Sequence, residues 1–410
     1  MTLIPIDNTP MPYAWGSPGG ISRLLGRPPR TQGPEAELWL GSHSRAPSVV
    51  LDPALPWTDL REWEERTGQR LPFLLKILDA AAPLSLQVHP SGDQARQGFE
   101  WENRAGIPLD APERNYRDPR AKPEVLVAVQ DGFEALCGFR EPAQVSVVLQ
   151  RVREALPHID QDQREHERGL AAVDAWDQTL LGQGPKGALS WLLSGASDIV
   201  VLLHVLEVVA PSLPDQMGLV PRLLAEYPED PGAAVALMMN HVSLQVGEGL
   251  FLPAGNIHAY LRGVGVELMG PSDNVLRGGL TRKHIDTGEL LQVLDGAPGP
   301  PCRLERTAAA KGLIQHRIPR GDSGSPVPSG RAPFDLWEVT GEGRVATAGP
   351  SIVAVLEGHF DVESTSPGRA SRDTGCQRAV DSGGFLLVTD SDSVSFRGSG
   401  RAFVATGVAP

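Results

Sequence analysis

The chain predicts a mainly β protein with a helical block set into its middle, and three observations carry that reading. Glycine and proline, 45 and 37 of 410 residues, recur between short apolar runs, as turns do between strands. From about Glu141 to Asn240 the apolar spacing changes to helical intervals. Beyond that block the short-run pattern returns and continues to the C-terminus. At this length, more than one folded unit is expected.

In chain order, Leu71 to Leu78, Leu84 to Val88 and Glu124 to Val129 read as strands of a first β region, residues 1–140. Val145, Val148, Leu149, Val152 and Leu156 then fall on one helical face. Further helical stretches follow to Met239, so 141–240 reads as an insertion, and the charge run Asp160 to Arg168 as a solvated helix face. Strands resume at Val242 to Val246 and Leu250 to Pro253, with a short helix at Thr287 to Leu294. Residues 1–140 and 241–319 are therefore expected to close one split β unit. Arg320 to Pro333, rich in Pro, Gly and Ser, reads as a linker, and its Arg320-Gly321-Asp322 triplet as incidental. Four short runs, from Ser351 to Thr406, predict a second, smaller β domain over 331–410.

Composition narrows the function. A net charge of -13 has the wrong sign for a general nucleic-acid or anionic-membrane binder, so an anionic ligand must meet a local basic pocket. The cysteines, Cys137, Cys302 and Cys376, are an odd number with no CxxC pair, which predicts neither a disulfide framework nor a cysteine zinc site. The N-terminal segment resembles neither a secretory signal nor a transit peptide, and the longest apolar run is too short to span a bilayer. A cytoplasmic, monomeric protein is expected.

The chemistry concentrates in a few words. In Ser85-Leu86-Gln87-Val88-His89 a strand period of two sends Ser85, Gln87 and His89 to one face. That face is either solvated or functional. Lys122-Pro123-Glu124 opens the next apolar run with an acid, and Leu252 to Tyr260 places His258 just after a glycine-containing turn. Gln87, His89, Glu124 and His258 together offer two oxygens and two imidazoles, a donor set suited to zinc or a similar divalent ion. Only five lysines occur, Lys76, Lys122, Lys186, Lys283 and Lys311, the other basic residues of 37 being arginine. Three of the five sit in or near these words, where a compact ammonium with an adjustable pKa has a use.

Six words in order resemble the type I phosphomannose isomerase family: Tyr13 to Ser17, Ala36 to Gly41, Leu84 to Pro90, Lys122 to Glu124, Leu252 to Tyr260 and Ser272 to Thr281. The resemblance implies a cupin (jelly-roll) barrel with a second, cupin-like C-terminal domain. It also implies a single zinc and interconversion of mannose 6-phosphate and fructose 6-phosphate through an enediolate. Carried over residue by residue, Gln87, His89, Glu124 and His258 fall on the metal ligands and Arg277 on the catalytic arginine. Lys76, Lys122 and Asp273 fall on polar catalytic positions; each, like a metal-bound water, is chemically able to shuttle the proton. Ser85 and Lys283 match phosphate or substrate contacts, and Tyr260 and Glu267 pocket positions. The family's Asn-His before Lys-Pro-Glu is here Arg120-Ala121, which removes one imidazole. Two other readings stand beside this one: a metal-holding sugar-phosphate sensor without catalysis, and an isomerase of a different aldose. Trp15 and Trp39 are expected under the barrel mouth, Glu37 on a buried partner, and His43, His204, His241 and His284 outside the ligand set.

Overall fold

The computed structural model describes residues 3–29, 32–156, 163–319, 332–365 and 376–408. The Arg320-Gly321-Asp322 triplet, with most of the linker around it, lies outside the described residues, as does the start of the charge run at Asp160. Two large antiparallel sheets and a group of helices make up the chain. The first, nine-stranded sheet runs Met239–Leu244, Phe133–Phe139, His258–Met269, Leu74–Ala80 and Glu37–Leu40, with Gly249–Leu252 on Glu124–Ala128 and the short pairs Gln87–Val88 and Leu276–Arg277 completing it. The second has ten strands and centres on two long ones, Ser351–Thr365 and Ser393–Gly407.

Alternation along the strands of the first sheet separates two environments. Leu38, Leu40, Leu75, Ile77, Val125, Val127, Val266 and Leu268 face the second sheet, where they pack with Ile4, Ile6, Leu336, Ile352, Phe385 and Phe403. This is the core between two stacked sheets. The intervening positions of the same strands, among them Leu78, Leu126, Ala128 and Tyr260, form a separate cluster inside the first barrel. Glu37, Lys76, Glu124 and Glu267 share that inward parity. The strand pattern that builds the inter-sheet core therefore delivers four charged groups to the barrel interior, all buried.

Helices run from Pro142–Ala155 to Gly232–Leu237, and Met239–Leu244 returns the chain to the first sheet. Their apolar faces, around Leu149, Trp176 and Leu206, pack with Leu86, Val88, Ile257 and Leu276, so the block braces the strands beside the site.

The sheets cross the segments expected from sequence. The strand Leu3–Asp7 lies in the second sheet, paired with Phe385–Val388, and Glu305–Ala310 and Leu313–Arg317 extend the same sheet. The cause is that strand pairing is set by partners far away in sequence, which a local apolar run does not encode. The run Leu84 to Val88 yields only Gln87–Val88 as strand, and Ser351 to Val355 joins Gly358 to Val362 in one strand.

Candidate metal centre and active site

His89, Glu124 and His258 are buried and present one ligand atom each within 4.8 Å of one another. Nε2 of His89 lies 3.2 Å from Oε1 of Glu124, and Nε2 of His258 lies 3.2 Å from Oε2. The tautomers follow from the other ring nitrogens. His89 Nδ1 donates to the backbone oxygen of Asn274 at 2.8 Å, and His258 Nδ1 donates to that of Asn256 at 3.1 Å. In the Nδ1–H tautomer each ring turns an Nε2 lone pair toward the carboxylate, and His89 Nε2 is a buried atom with no hydrogen-bond partner. Two lone pairs facing a carboxylate is an arrangement that a cation, not a hydrogen bond, satisfies.

Electrostatics agree. Burial, followed by the Lys122 ammonium, pushes His89 down to about 4, so the ring stays neutral. Burial pushes the Glu124 carboxyl up, but Lys122 and the two imidazoles outweigh it and hold the group well below the usual carboxylate range. Gln87, half-buried, pairs through its backbone with both His258 and Arg277 and lines the same inner cavity as Lys76, Lys122, Glu124, His258 and Glu267. A site with one carboxylate and neutral partners leaves a divalent ion with net positive charge, which suits a Lewis acid. The residues fit zinc.

Beside this centre stands a buried row of charge. Lys76 is 3.0 Å from Glu267 and 3.6 Å from Glu37; Tyr260 donates its hydroxyl to Glu267 at 2.9 Å, and Trp39 donates its indole N–H to Glu37 at 2.7 Å. Register explains the row, because Lys76 sits opposite Glu267 on one neighbour strand and opposite Trp39 on the other. Burial lowers the Lys76 pKa, but the two carboxylates more than reverse that and raise it. The two carboxylates thus favour the ammonium form of Lys76. Lys122 lies at the other side, 3.1 Å from Glu124.

The remaining sequence candidates lie at the rim. Arg277 is directly across from Gln87, half-buried, and Ser85 lies two residues before Gln87. Asp273 is 3.3 Å from His43 and 3.4 Å from Arg45. Burial pushes its carboxyl up, but the bond to His43 and the charge of Arg45 outweigh it and bring it down to about 2. A carboxylate that weakly basic is a poor proton acceptor at neutral pH. Lys283 is exposed and lowered, first by burial and then by Arg277, Arg45 and Arg117. A larger cavity of about 1050 Å³ opens beside Asp273, with His43, Arg117 and Ala121 also in its wall. At Ala121 a methyl group stands where the resemblance implies an imidazole.

Several neighbours were not singled out as site residues. Asn274 and Asn256 orient the histidines through peptide carbonyls, which leave no trace in residue type. His43 was placed outside the ligand set, and it does lie away from the metal cluster; its contact is with Asp273. Glu37 does have a buried partner, and Trp39 is buried above Lys76.

The family model for the phosphomannose isomerase type I catalytic domain matches residues 3–142. The chain is 40% identical over 302 residues to mannose-6-phosphate isomerase of Shigella flexneri, covering 69% of this chain and 72% of that protein. It is 31% identical over 325 residues to the human mannose-6-phosphate isomerase, covering 72% and 74%. The crystal structure of Salmonella typhimurium mannose 6-phosphate isomerase bound to substrate and zinc superposes over 100% of both chains, with a TM-score of 0.81 and 29% identity. A mannose 6-phosphate isomerase bound with zinc and yttrium gives 0.80 at the same identity and coverage. With these relatives and a buried two-histidine, one-glutamate centre in a β barrel, the chain belongs to the type I phosphomannose isomerase family.

Proposed function

We propose that this protein is a zinc-dependent aldose-ketose isomerase that interconverts mannose 6-phosphate and fructose 6-phosphate. The observation that carries the reading is the buried cluster of His89, Glu124 and His258, with Arg277 on the strand that pairs with Gln87. His89, Glu124 and His258, with Gln87 beside them, would hold the ion, which would supply Lewis-acid polarisation of a sugar oxygen when bound.

Isomerisation needs a base to move one proton between C2 and C1 of the open-chain sugar, and positive charge where the enediolate oxygen develops. Arg277, always protonated and free of any ion pair with a carboxylate among the described residues, supplies that charge. Among the side chains able to move the proton, Asp273 is the weakest base, while Lys122, 3.1 Å from Glu124, and Lys76, 3.0 Å from Glu267, both stand at the inner cavity as candidates. Lys76 keeps the buried carboxylates neutralised, Tyr260 and Glu267 shape the inner wall, and Asp273 holds His43 and Arg45 at the rim. Ser85 and Lys283 receive the phosphate end. We place the enzyme in cytoplasmic mannose metabolism as a monomer; its three free cysteines suit a reducing compartment. Among the described residues, no single helix is long and apolar enough to cross a membrane.

Comparing mannose with mannose 6-phosphate tests the substrate. The phosphorylated sugar is expected to win in kcat/KM by roughly a hundredfold or more, the value of two charge-assisted contacts. Equal rates on both sugars would move the reading to another aldose, and no turnover of either to a non-catalytic sensor.

A further inference from the structure

A sugar phosphate brings about two negative charges at neutral pH. On the reading above, Arg277 is engaged by the enediolate, which leaves Lys283 with one charge for two. Two further arginines, Arg45 and Arg117, act on Lys283 through their charge. Arg45 is already occupied: it meets the Asp273 carboxylate at 3.4 Å, reaches the Tyr13 hydroxyl at 3.1 Å and lies over the Trp39 ring. Arg117 is different. Its guanidinium has a peptide carbonyl, that of Leu109 at 3.2 Å, and no carboxylate partner among the described residues.

Its backbone is fixed with respect to the metal site. Asn274 accepts the Arg117 backbone N–H on Oδ1 at 2.7 Å, and donates from Nδ2 to the carbonyls of Asp118 at 2.7 Å and Arg120 at 3.0 Å. The same residue's own carbonyl orients His89. Residues 117–120 are thereby tied to the strand end that carries Arg277, three positions on. Arg117 also lines the large cavity that contains Asp273. In a chain of net charge -13, Arg117, Arg277 and Lys283 make no ion pair with a carboxylate among the described residues, which leaves their charge available to an anion.

We infer that Arg117 is a substrate-binding residue that grips the phosphate jointly with Lys283, supplying the second charge and setting preference for the phosphorylated sugar. The inference rests on the isomerase reading. The lowered pKa values of Arg277, by burial and Arg117, and of Lys283, by burial and its three cationic neighbours, show the mutual repulsion that a bound dianion relieves.

The test uses zinc-loaded full-length enzyme, as wild type, Arg117→Met and Arg117→Lys, with mannose 6-phosphate as substrate and inorganic phosphate as competing inhibitor. For Arg117→Met, KM and the phosphate inhibition constant are expected to rise roughly ten- to a hundredfold while kcat stays within about twofold, the effect of losing one charge-assisted contact. Arg117→Lys restores part of both, since the charge remains and the planar fork is lost. Unchanged KM and phosphate inhibition in an active Arg117→Met would overturn the assignment and leave the isomerase reading intact. So would a fall in kcat with zinc loss at unchanged phosphate inhibition. A wild type that does not turn over mannose 6-phosphate refutes the parent reading, and with it this role.

Discussion

At the residue scale, two peptide carbonyls decide what the metal-site histidines can do. The Asn274 and Asn256 oxygens each take an Nδ1 proton, which leaves Nε2 of both rings aimed at Glu124. On the proposed mechanism, loss of one ring disrupts the centre, whereas loss of Arg277 removes a charge assigned to the enediolate. His258→Ala should lose zinc and turnover together. Arg277→Ala should retain about one zinc per chain while kcat falls by roughly a hundredfold or more, the usual cost of an electrostatic stabiliser. Zinc content and kcat, measured on the same preparations, separate the two; zinc loss in Arg277→Ala, or near-normal turnover, would contradict its assignment. His89, Glu124 and His258 were legible because imidazole and carboxylate are rare at buried strand positions and stood in recognisable words. Asn274, Asn256 and Arg117 were not, since two act through the peptide group and the third is one of many arginines.

At the element scale, the strand His258–Met269 does more than any other. Its first half pairs with Phe133–Phe139 and Gln87, and its second half with Leu74–Ala80 and Glu124–Ala128. The change of partners occurs at Gly263, which has φ of +119° and would place a Cβ 2.7 Å from the backbone Cα of Phe133. Only glycine accepts both conditions. This corner lets one strand present His258 to the metal and Glu267 to Lys76. Gly263→Ala should destabilise the fold by about 2 kcal/mol or more, read as a lower melting temperature, and reduce zinc retention as His258 shifts. A variant with unchanged melting temperature and zinc content would refute the corner's role. The alternation of Ser85 to His89 was readable, as was the acid at the head of Glu124–Ala128. The corner was not, because a glycine in an apolar run has the same appearance whether it bends a strand or merely interrupts it.

For the whole molecule, the second sheet covers the outer face of the first and reaches into it at one point. Arg401 meets Glu338 at 2.8 Å and donates to the backbone oxygens of Val129 at 2.9 Å and Ala128 at 3.3 Å, at the far end of the strand that begins with Glu124. His316 lies 3.1 Å from the same carboxylate. Burial pushes Glu338 up from 4.5, but His316, Arg401 and Arg306 outweigh it and lower its pKa. A depressed carboxylate contributes stability that is complete above its unfolded value and is lost as pH falls through the folded one. Glu338→Gln should therefore cost about 2 kcal/mol near pH 7, and the gap in melting temperature from wild type should shrink as pH drops below about 4.5. A gap independent of pH would show that the group is not linked to folding. The placement of Leu3–Asp7 in this second sheet was out of reach of sequence reading, since its partner lies some 380 residues away.

These scales meet in one claim: a barrel built around a single zinc isomerises a sugar phosphate. Conversion of mannose 6-phosphate to fructose 6-phosphate by the purified protein, as isolated, after chelation and after zinc is returned, tests it most directly. The account predicts activity that disappears on chelation and comes back with zinc, in a protein that stays folded throughout. Full activity in the metal-free protein, or none in a folded, zinc-loaded one, would contradict it.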